Sequence, residues 1–270
     1  MMKKKIWNGY LIAGLVITSI VLIWIIVGQF YTPYDPTQMT GAKLQAPSAA
    51  HLFGTDKFGR DIFSRVMSGA GTTLLVAVAT IGIGAVAGTL IGALTGYFGG
   101  YVDEVLMRMN DVLTAFPSIL LGLVVISILG PGKYNVILAL GIVFIPGYAR
   151  LMRTAFASQR EINYIISAQL MGASTARILA IHMLPNTFST LLPALTIGFN
   201  NAVLAEASMS FLGIGVMPPD ISLGYMLSES QGMLRTAPWY ALSVGTVIAV
   251  LVFGVGMIGE GIQRIGKEDL

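Results

Sequence analysis

The chain has 270 residues, of which 55% are hydrophobic and only 11% charged, with a mean hydropathy of +0.77. A soluble chain carries about 25% charged residues, so this composition excludes a soluble enzyme, and its apolarity excludes a disordered chain. Cysteine is absent and the net charge is only +3, which removes disulfide frameworks, thiolate metal sites, cysteine nucleophiles and a nucleic-acid partner, and leaves an all-α polytopic membrane protein.

Lys3, Lys4 and Lys5 precede a run from Ile6 to Tyr34 that contains no Asp, Glu, Lys or Arg. A helix needs about 20 apolar residues to cross the hydrocarbon layer, so a first span is predicted near 9–29. The start resembles a secretory signal, but no small-x-small site follows Gly28-Gln29-Phe30-Tyr31. An uncleaved anchor with a cytoplasmic N-terminus is predicted. Residues 31–70 form a long hydrophilic outer segment with Pro33, Pro36 and Pro47. Within it, Thr55-Asp56 reads as a helix N-cap. Asp56, Arg60, Asp61 and Arg65 read as ion pairs and caps, in preference to a metal or catalytic site with His51.

Further charge-poor runs predict spans near 72–97, 110–130, 135–155, 188–212 and 239–261, completing a bundle of six transmembrane helices. In the second, Gly84, Gly88, Gly92 and Gly96 recur every four residues. That spacing leaves one helix face bare, so another helix can approach closely. Arg108 and Asp111 flank the third span. Residues 156–187 form the main inner segment, and 213–238 a second outer loop with Pro218 and Pro219. Asn200, Asn201 and Glu206 lie in the fifth span, and polar groups inside spans are functional candidates. Glu206 is predicted to face the bundle interior in a structural role.

With this topology both chain ends are cytoplasmic. Ten Lys and Arg lie inside; outside lie six, namely Lys43, Lys57, Arg60, Arg65, Lys133 and Arg235. The asymmetry has the sign of the positive-inside rule.

Two nucleotide-like motifs fail on context. Gly254, Gly256 and Gly259 match GxGxxG inside an apolar span with no strand before it, so small-residue packing explains them better. Gly261 to Lys267 matches GxxxxGK, but Glu268 stands where Ser or Thr is needed and no helix follows. ATP binding by a P-loop is excluded.

The inner segment carries the most information. Residues 160–186 read as two short helices joined at Gly172, with Pro185 where a helix entering the membrane would begin. The alternative is an ordinary amphipathic interfacial pair. Ile166, Ser167, Ala168, then Gly172, then Leu184-Pro185 have the spacing of the Glu-Ala-Ala, Gly, Leu-Pro motif of ABC importer permeases, with Ile166 in place of the acid and Ser167 in place of an alanine. His51-Leu52-Phe53-Gly54-Thr55-Asp56-Lys57-Phe58-Gly59-Arg60-Asp61 is similar to the outer motif of the dipeptide, oligopeptide and nickel group. Gly96-Tyr97-Phe98-Gly99-Gly100, Phe116-Pro117, Tyr148-Ala149-Arg150, Pro185-Asn186 and Ser210-Phe211-Leu212-Gly213-Ile214-Gly215-Val216 continue the likeness in order. Across roughly residues 31–262 the chain resembles the shorter, C-type permease of such systems.

The resemblance implies the type I importer permease fold and an inner cell-membrane location. It implies a heterodimer with a second permease, two ATPase subunits that carry ATP and Mg, and an external solute-binding protein. This chain would hold no cofactor or metal of its own. The resemblance places ATPase coupling at Tyr164, Ile165, Ser167, Ala168, Gly172, Ala173, Arg177 and Pro185. It places an extracytoplasmic signature at Gly54, Thr55, Asp56, Gly59, Arg60 and Asp61. Peptides and nickel, free or chelated, are the expected solutes. The 14 methionines read as gap-fillers and do not argue for nickel.

Two other classes of membrane protein compete with this reading. An intramembrane hydrolase would need Ser208 or Ser210 beside a histidine, but His51 and His182 fall on opposite faces of the predicted topology. A self-sufficient carrier or channel would transport without ATP and would not need the helix–Gly–helix loop.

Overall fold

The computed structural model describes residues 8–268, with side chains to Ile265. Lys3, Lys4 and Lys5 and the terminal Asp269-Leu270 lie outside the described residues. Among the described residues the chain is helical apart from loops and one isolated bridge, Thr55 to Asp61. The helices are α1 (Gly9–Phe30), α2 (Ile62–Phe98), α3 (Gly100–Thr114), α4 (Ser118–Leu129), α5 (Lys133–Arg160), α6 (Asn163–Leu170), α7 (Thr175–Arg177), α8 (Leu184–Phe211), α9 (Leu223–Gln231) and α10 (Pro238–Glu268).

Five helical stretches are long and apolar enough to cross a membrane, and α3 with α4 supplies a sixth crossing in two pieces bent by 86°. The predicted continuous span at 110–130 is therefore corrected. Pro117 explains the break: its ring disfavours helical backbone at Phe116 and it offers no N–H to continue the ladder. The second span is also longer than predicted. It starts at Ile62 instead of near 72 and runs 37 residues, about 55 Å of helix against about 30 Å of hydrocarbon. The loop part of the outer segment thus ends at Asp61.

The fifth span is corrected too. α7 passes through a π-helical turn, Ile178–Met183, straight into α8. The second short helix of the inner segment is thus the foot of the span. Pro185 cannot donate to the carbonyl four residues back, and a widened turn just before it accommodates the missing bond.

The glycine stripe of α2 lies against α5. A Cβ built on Gly84, Gly88, Gly92 or Gly96 would come within 2.8, 2.5, 2.6 and 2.8 Å of the Cβ atoms of Phe144, Tyr148, Met152 and Phe156. Both series climb by four, so α2 and α5 run parallel. The α3–α4 segment between them must therefore return across the bundle, which fixes six crossings. In α1 and α10 the pairing runs the other way: Gly14 meets Met257 and Ile258, while Gly261 meets Leu11. The Asn8 amide donates to the Gly261 carbonyl at 2.8 Å. Both described ends of the chain share one end of the bundle. The other end of α1 meets the start of α2, where Gly28 touches Met67. Residues 31–61 therefore sit at one pole, and α6 with the described ends of the chain at the opposite pole.

The GxGxxG glycines make helix contacts. Gly254 faces Thr18 of α1, and Gly256 and Gly259 face Asn200 and Thr196 of α8.

Candidate functional sites

At the α6 pole, Ile165 is fully buried against the bundle, in one cluster with Ile178 and Met183, and Ala168 and Ala173 pack half-buried beside it. Helical spacing then turns Ile162, Ile166 and Leu170 outward on the other face. Leu170 and Met171 are 84% and 82% exposed. Gly172 adopts φ +80°, a backbone conformation that glycine takes without a Cβ penalty. Its N–H donates to Gln169 O, and the Ala173 N–H donates to Ala168 O, both at 3.0 Å. This pair of bonds is the Schellman closure of a helix, with Gly172 just past the cap.

Tyr164 braces the same helix. Its hydroxyl donates toward the His182 carbonyl at 3.3 Å and accepts from Asn186 Nδ2 at 2.6 Å. Ser174 caps α7 by accepting from the Arg177 N–H. Of the predicted coupling residues, Ser167, Gly172, Arg177 and Pro185 are exposed, Ile165, Ala168 and Ala173 turn inward, and Tyr164 is exposed but tied back to α8 by its hydroxyl. The most exposed apolar pair, Leu170 and Met171, was not singled out by sequence. The 162–166–170 helical spacing was the available signal.

At the opposite pole four charges close a ring. Arg60 Nε and Nη2 donate to Asp56 and Glu229 at 2.6 and 2.8 Å. Arg65 Nη1 and Nη2 donate to the same two carboxylates at 2.5 and 2.6 Å. Tyr240 adds its hydroxyl to Glu229 at 3.0 Å. Arg65 and Asp56 are 2% and 1% exposed, and Arg60 and Glu229, partly exposed at 15% and 10%, complete a ring of two cations and two anions that balances the buried charges. Burial opposes the charge on Arg60, but its hydrogen bonds to Glu229 and Asp56 prevail and hold its pKa above the ordinary value.

The residue that caps α2 is Asp61, which accepts from the Ser64 N–H at 2.7 Å and contacts His51 Nδ1 at 2.9 Å. The N-cap predicted at Thr55-Asp56 is therefore corrected. Gly54 and Gly59, at φ +74° and +78°, turn the chain so that the Asp56 carboxylate is captured by the Phe58 and Arg60 N–H groups instead. Thr55 is buried and its hydroxyl accepts from the Gln45 N–H. Glu229, the partner shared by both arginines, was missed from sequence.

Glu206 is fully buried. Thr73 of α2 and Ser210 of α8 donate to its two oxygens at 2.9 and 2.7 Å. Thr73 Oγ1 in turn accepts from the Leu223 N–H, and Ser210 Oγ from the Val216 N–H. One carboxylate thereby pins the loop that follows α8 at Val216, midway along it, and at Leu223, where α9 begins. Asn200 sits against α10 beside Gly256, whereas Asn201 opens into a cleft between α4, α5 and α8. At the α3–α5 contact, Arg150 pairs with Asp111 at 3.1 Å and Arg153 with Asp103 at 2.5 Å. Among the described residues no group of three His, Asp or Glu could hold a metal ion.

Comparison with known proteins places the chain in a family. Residues 88–265 match the family described as binding-protein-dependent transport system inner membrane component. The chain is 39% identical over 261 residues to a dipeptide transport system permease protein DppC of Alkalihalophilus pseudofirmus, covering 95% of this chain and 84% of that protein. It is 36% identical to the DppC of Haemophilus influenzae, covering 95% and 89%. It is 34% identical to the glutathione transport system permease protein GsiD of Pectobacterium atrosepticum, covering 96% and 89%. Among solved structures, an inward-facing form of the MetNI methionine ABC transporter aligns with a TM-score of 0.61 at 20% identity, over 74% of this chain and 96% of that one. That likeness identifies the fold as the type I ABC importer permease fold.

Proposed function

This chain belongs to the binding-protein-dependent transport system inner membrane components, and from that premise we propose that it forms, with a second and different permease chain, the membrane pathway of a peptide importer. It is a multi-pass inner-membrane subunit of the dipeptide and oligopeptide group of ABC importer permeases, and not an enzyme. The peptide reading draws on relatives named for dipeptide and glutathione transport. Those names favour peptides over nickel. The α6 pole faces the cytoplasm together with the start of α1 and the end of α10, and residues 31–61 face the solute-binding protein outside.

In this reading α6 seats on an ATPase subunit. The observation that carries it is the pairing of a rigid mount with an exposed apolar tip. Buried Ile165, the Tyr164 brace and the Gly172 closure hold α6 in one orientation, while Leu170 and Met171 stand free. A large exposed apolar pair on a fixed helix marks a protein contact. ATP and Mg bind the two ATPase subunits. Their closure moves α6, and the parallel α2–α5 pair passes that motion into the membrane as a shift between two states.

The test is co-purification of the tagged chain with its operon partners in mild detergent, followed by dipeptide uptake in proteoliposomes. The full complex is expected to take up dipeptide only with ATP. Leu170→Asp and Met171→Asp are expected to release the ATPase subunits and cut uptake by about tenfold or more, the scale of a hot-spot residue. ATP-independent uptake by this chain alone would instead establish the carrier alternative.

A further inference from the structure

The cleft between α4, α5 and α8 encloses about 360 Å³, within the range of roughly 300–1,000 Å³ of small-molecule sites. Val143, Phe144 and Leu204 give it apolar walls, and Ser118, Asn201 and Ser208 give it three uncharged polar side chains. No charged side chain lines it. Asn201, Leu204 and Ser208 follow helical spacing, so one face of α8 looks into the space.

Asn201 is the informative residue. Its carboxamide offers two donors and an acceptor. It is exposed in the middle of a membrane-spanning helix. Among the described residues, the side-chain hydrogen bonds of this part of α8 belong to Thr196, Glu206, Ser208 and Ser210, and none to Asn201. An amide facing hydrocarbon is costly, and polar side chains in spans face the bundle interior or a wet cavity. Ser208 spends its proton on the Leu204 carbonyl at 2.7 Å, which leaves its oxygen free to accept.

We infer that this cleft is this chain's wall of the solute path, with Asn201 and Ser208 as its solute-contacting residues. The inference rests on the importer reading above. The chemistry of the wall also defines what it selects. One amide and two hydroxyls among apolar side chains match the N–H and C=O of a peptide bond, which every peptide shares. A wall without charge offers a charged side chain neither a partner nor a repelling charge of either sign. This subunit therefore reads peptide backbone and leaves side-chain identity unread.

The chain contains no cysteine, so single replacements give a thiol-free background. Asn201→Cys, Ser208→Cys and, as a control on the exposed face of α10, Phe253→Cys are made in the assembled transporter. Each is treated in membranes with a charged, impermeant methanethiosulfonate, with and without excess dipeptide, and the mass of this subunit is read. Each unit by which an apolar surround raises a thiol pKa cuts its reactive thiolate about tenfold. Modification at 201 and 208 is therefore expected about tenfold or more faster than at 253, and slowed by dipeptide. Uniformly slow modification, the result if the partner permease seals the cleft by packing, overturns the assignment. So do rates that dipeptide leaves unchanged.

Asn201→Leu is expected to raise the KM of ATP-driven dipeptide uptake about 3- to 10-fold with a smaller effect on kcat, the size of one lost hydrogen bond. An unchanged KM overturns the role of Asn201. The unmutated complex separates the two readings. If it shows no ATP-driven peptide uptake, the importer reading fails and this assignment falls with it. If it shows uptake while the cysteine rates stay flat, this assignment alone fails.

Discussion

Glu229 stands 164 residues from Arg65 in the chain, yet its Oε2 accepts from Arg65 Nη2 at 2.6 Å. Through this contact α9 and the outer segment close on the first turns of α2. Removing one partner from a buried ion pair leaves the other charge uncompensated and costs about 3–5 kcal/mol. Glu229→Ala is expected to lower the thermal stability of the detergent-solubilised chain strongly. Glu229→Gln keeps one acceptor and is expected to lower it less. Equal melting of wild type and Glu229→Ala would show that the ring contributes no stability.

The α2–α5 seam predicts a steric asymmetry among glycines of one helix. A Cβ at Gly88 or Gly92 meets Tyr148 and Met152 Cβ and α5 backbone, whereas a Cβ at Gly82 meets nothing within 4 Å. Gly88→Leu and Gly92→Leu are expected to abolish folded protein in fluorescence-detected size exclusion. Gly82→Ala is expected to be neutral, or to stabilise by about 0.5–1 kcal/mol through the helix-interior preference for alanine over glycine. Loss of folding by Gly82→Ala, or its retention by Gly88→Leu, would contradict the seam.

Gly172 has open space around it, so substitution there acts only through its φ of +80°. Gly172→Ala is expected to destabilise the α6 closure by about 1–2 kcal/mol, the left-handed cost of a Cβ. Gly172→Asn is expected to be milder. Tyr164→Phe deletes the bonds to the His182 carbonyl and Asn186, worth about 1 kcal/mol. All three should lower ATP-driven uptake per folded transporter while expression stays normal. Amide exchange in 163–174 that is no faster than wild type would refute a bracing role.

The buried Glu206 predicts a graded series. Glu206→Ala strands the Thr73 and Ser210 hydroxyls, at about 1–3 kcal/mol. Glu206→Gln retains a carbonyl for one hydroxyl and is expected to melt between Ala and wild type. Because Ser210 and Thr73 hold Val216 and Leu223, proteolysis of the 212–223 loop should accelerate in the same order. A Gln variant less stable than Ala would show that the site needs the carboxylate itself.

What was legible in the sequence is what short-range composition controls. Charge-free runs located the apolar helices, because hydrocarbon tolerates only segments that satisfy their own backbone. The four-residue recurrence of Gly84 to Gly96 announced a close helix contact, because side-chain direction repeats with the helical turn. Tertiary structure decided which surface the stripe meets, and that was α5. It also decided that α2 reaches back to Ile62, since Arg65 belongs inside a helix only when Asp56 and Glu229 are folded around it. The same holds for the inner segment. Gly172 marked the turn, but whether Ile165 or Leu170 faces outward depends on where the bundle presents its apolar surface to α6. Charge pairs and buried faces are set by neighbours distant in the chain, and no local pattern of residues encodes a partner 164 positions away.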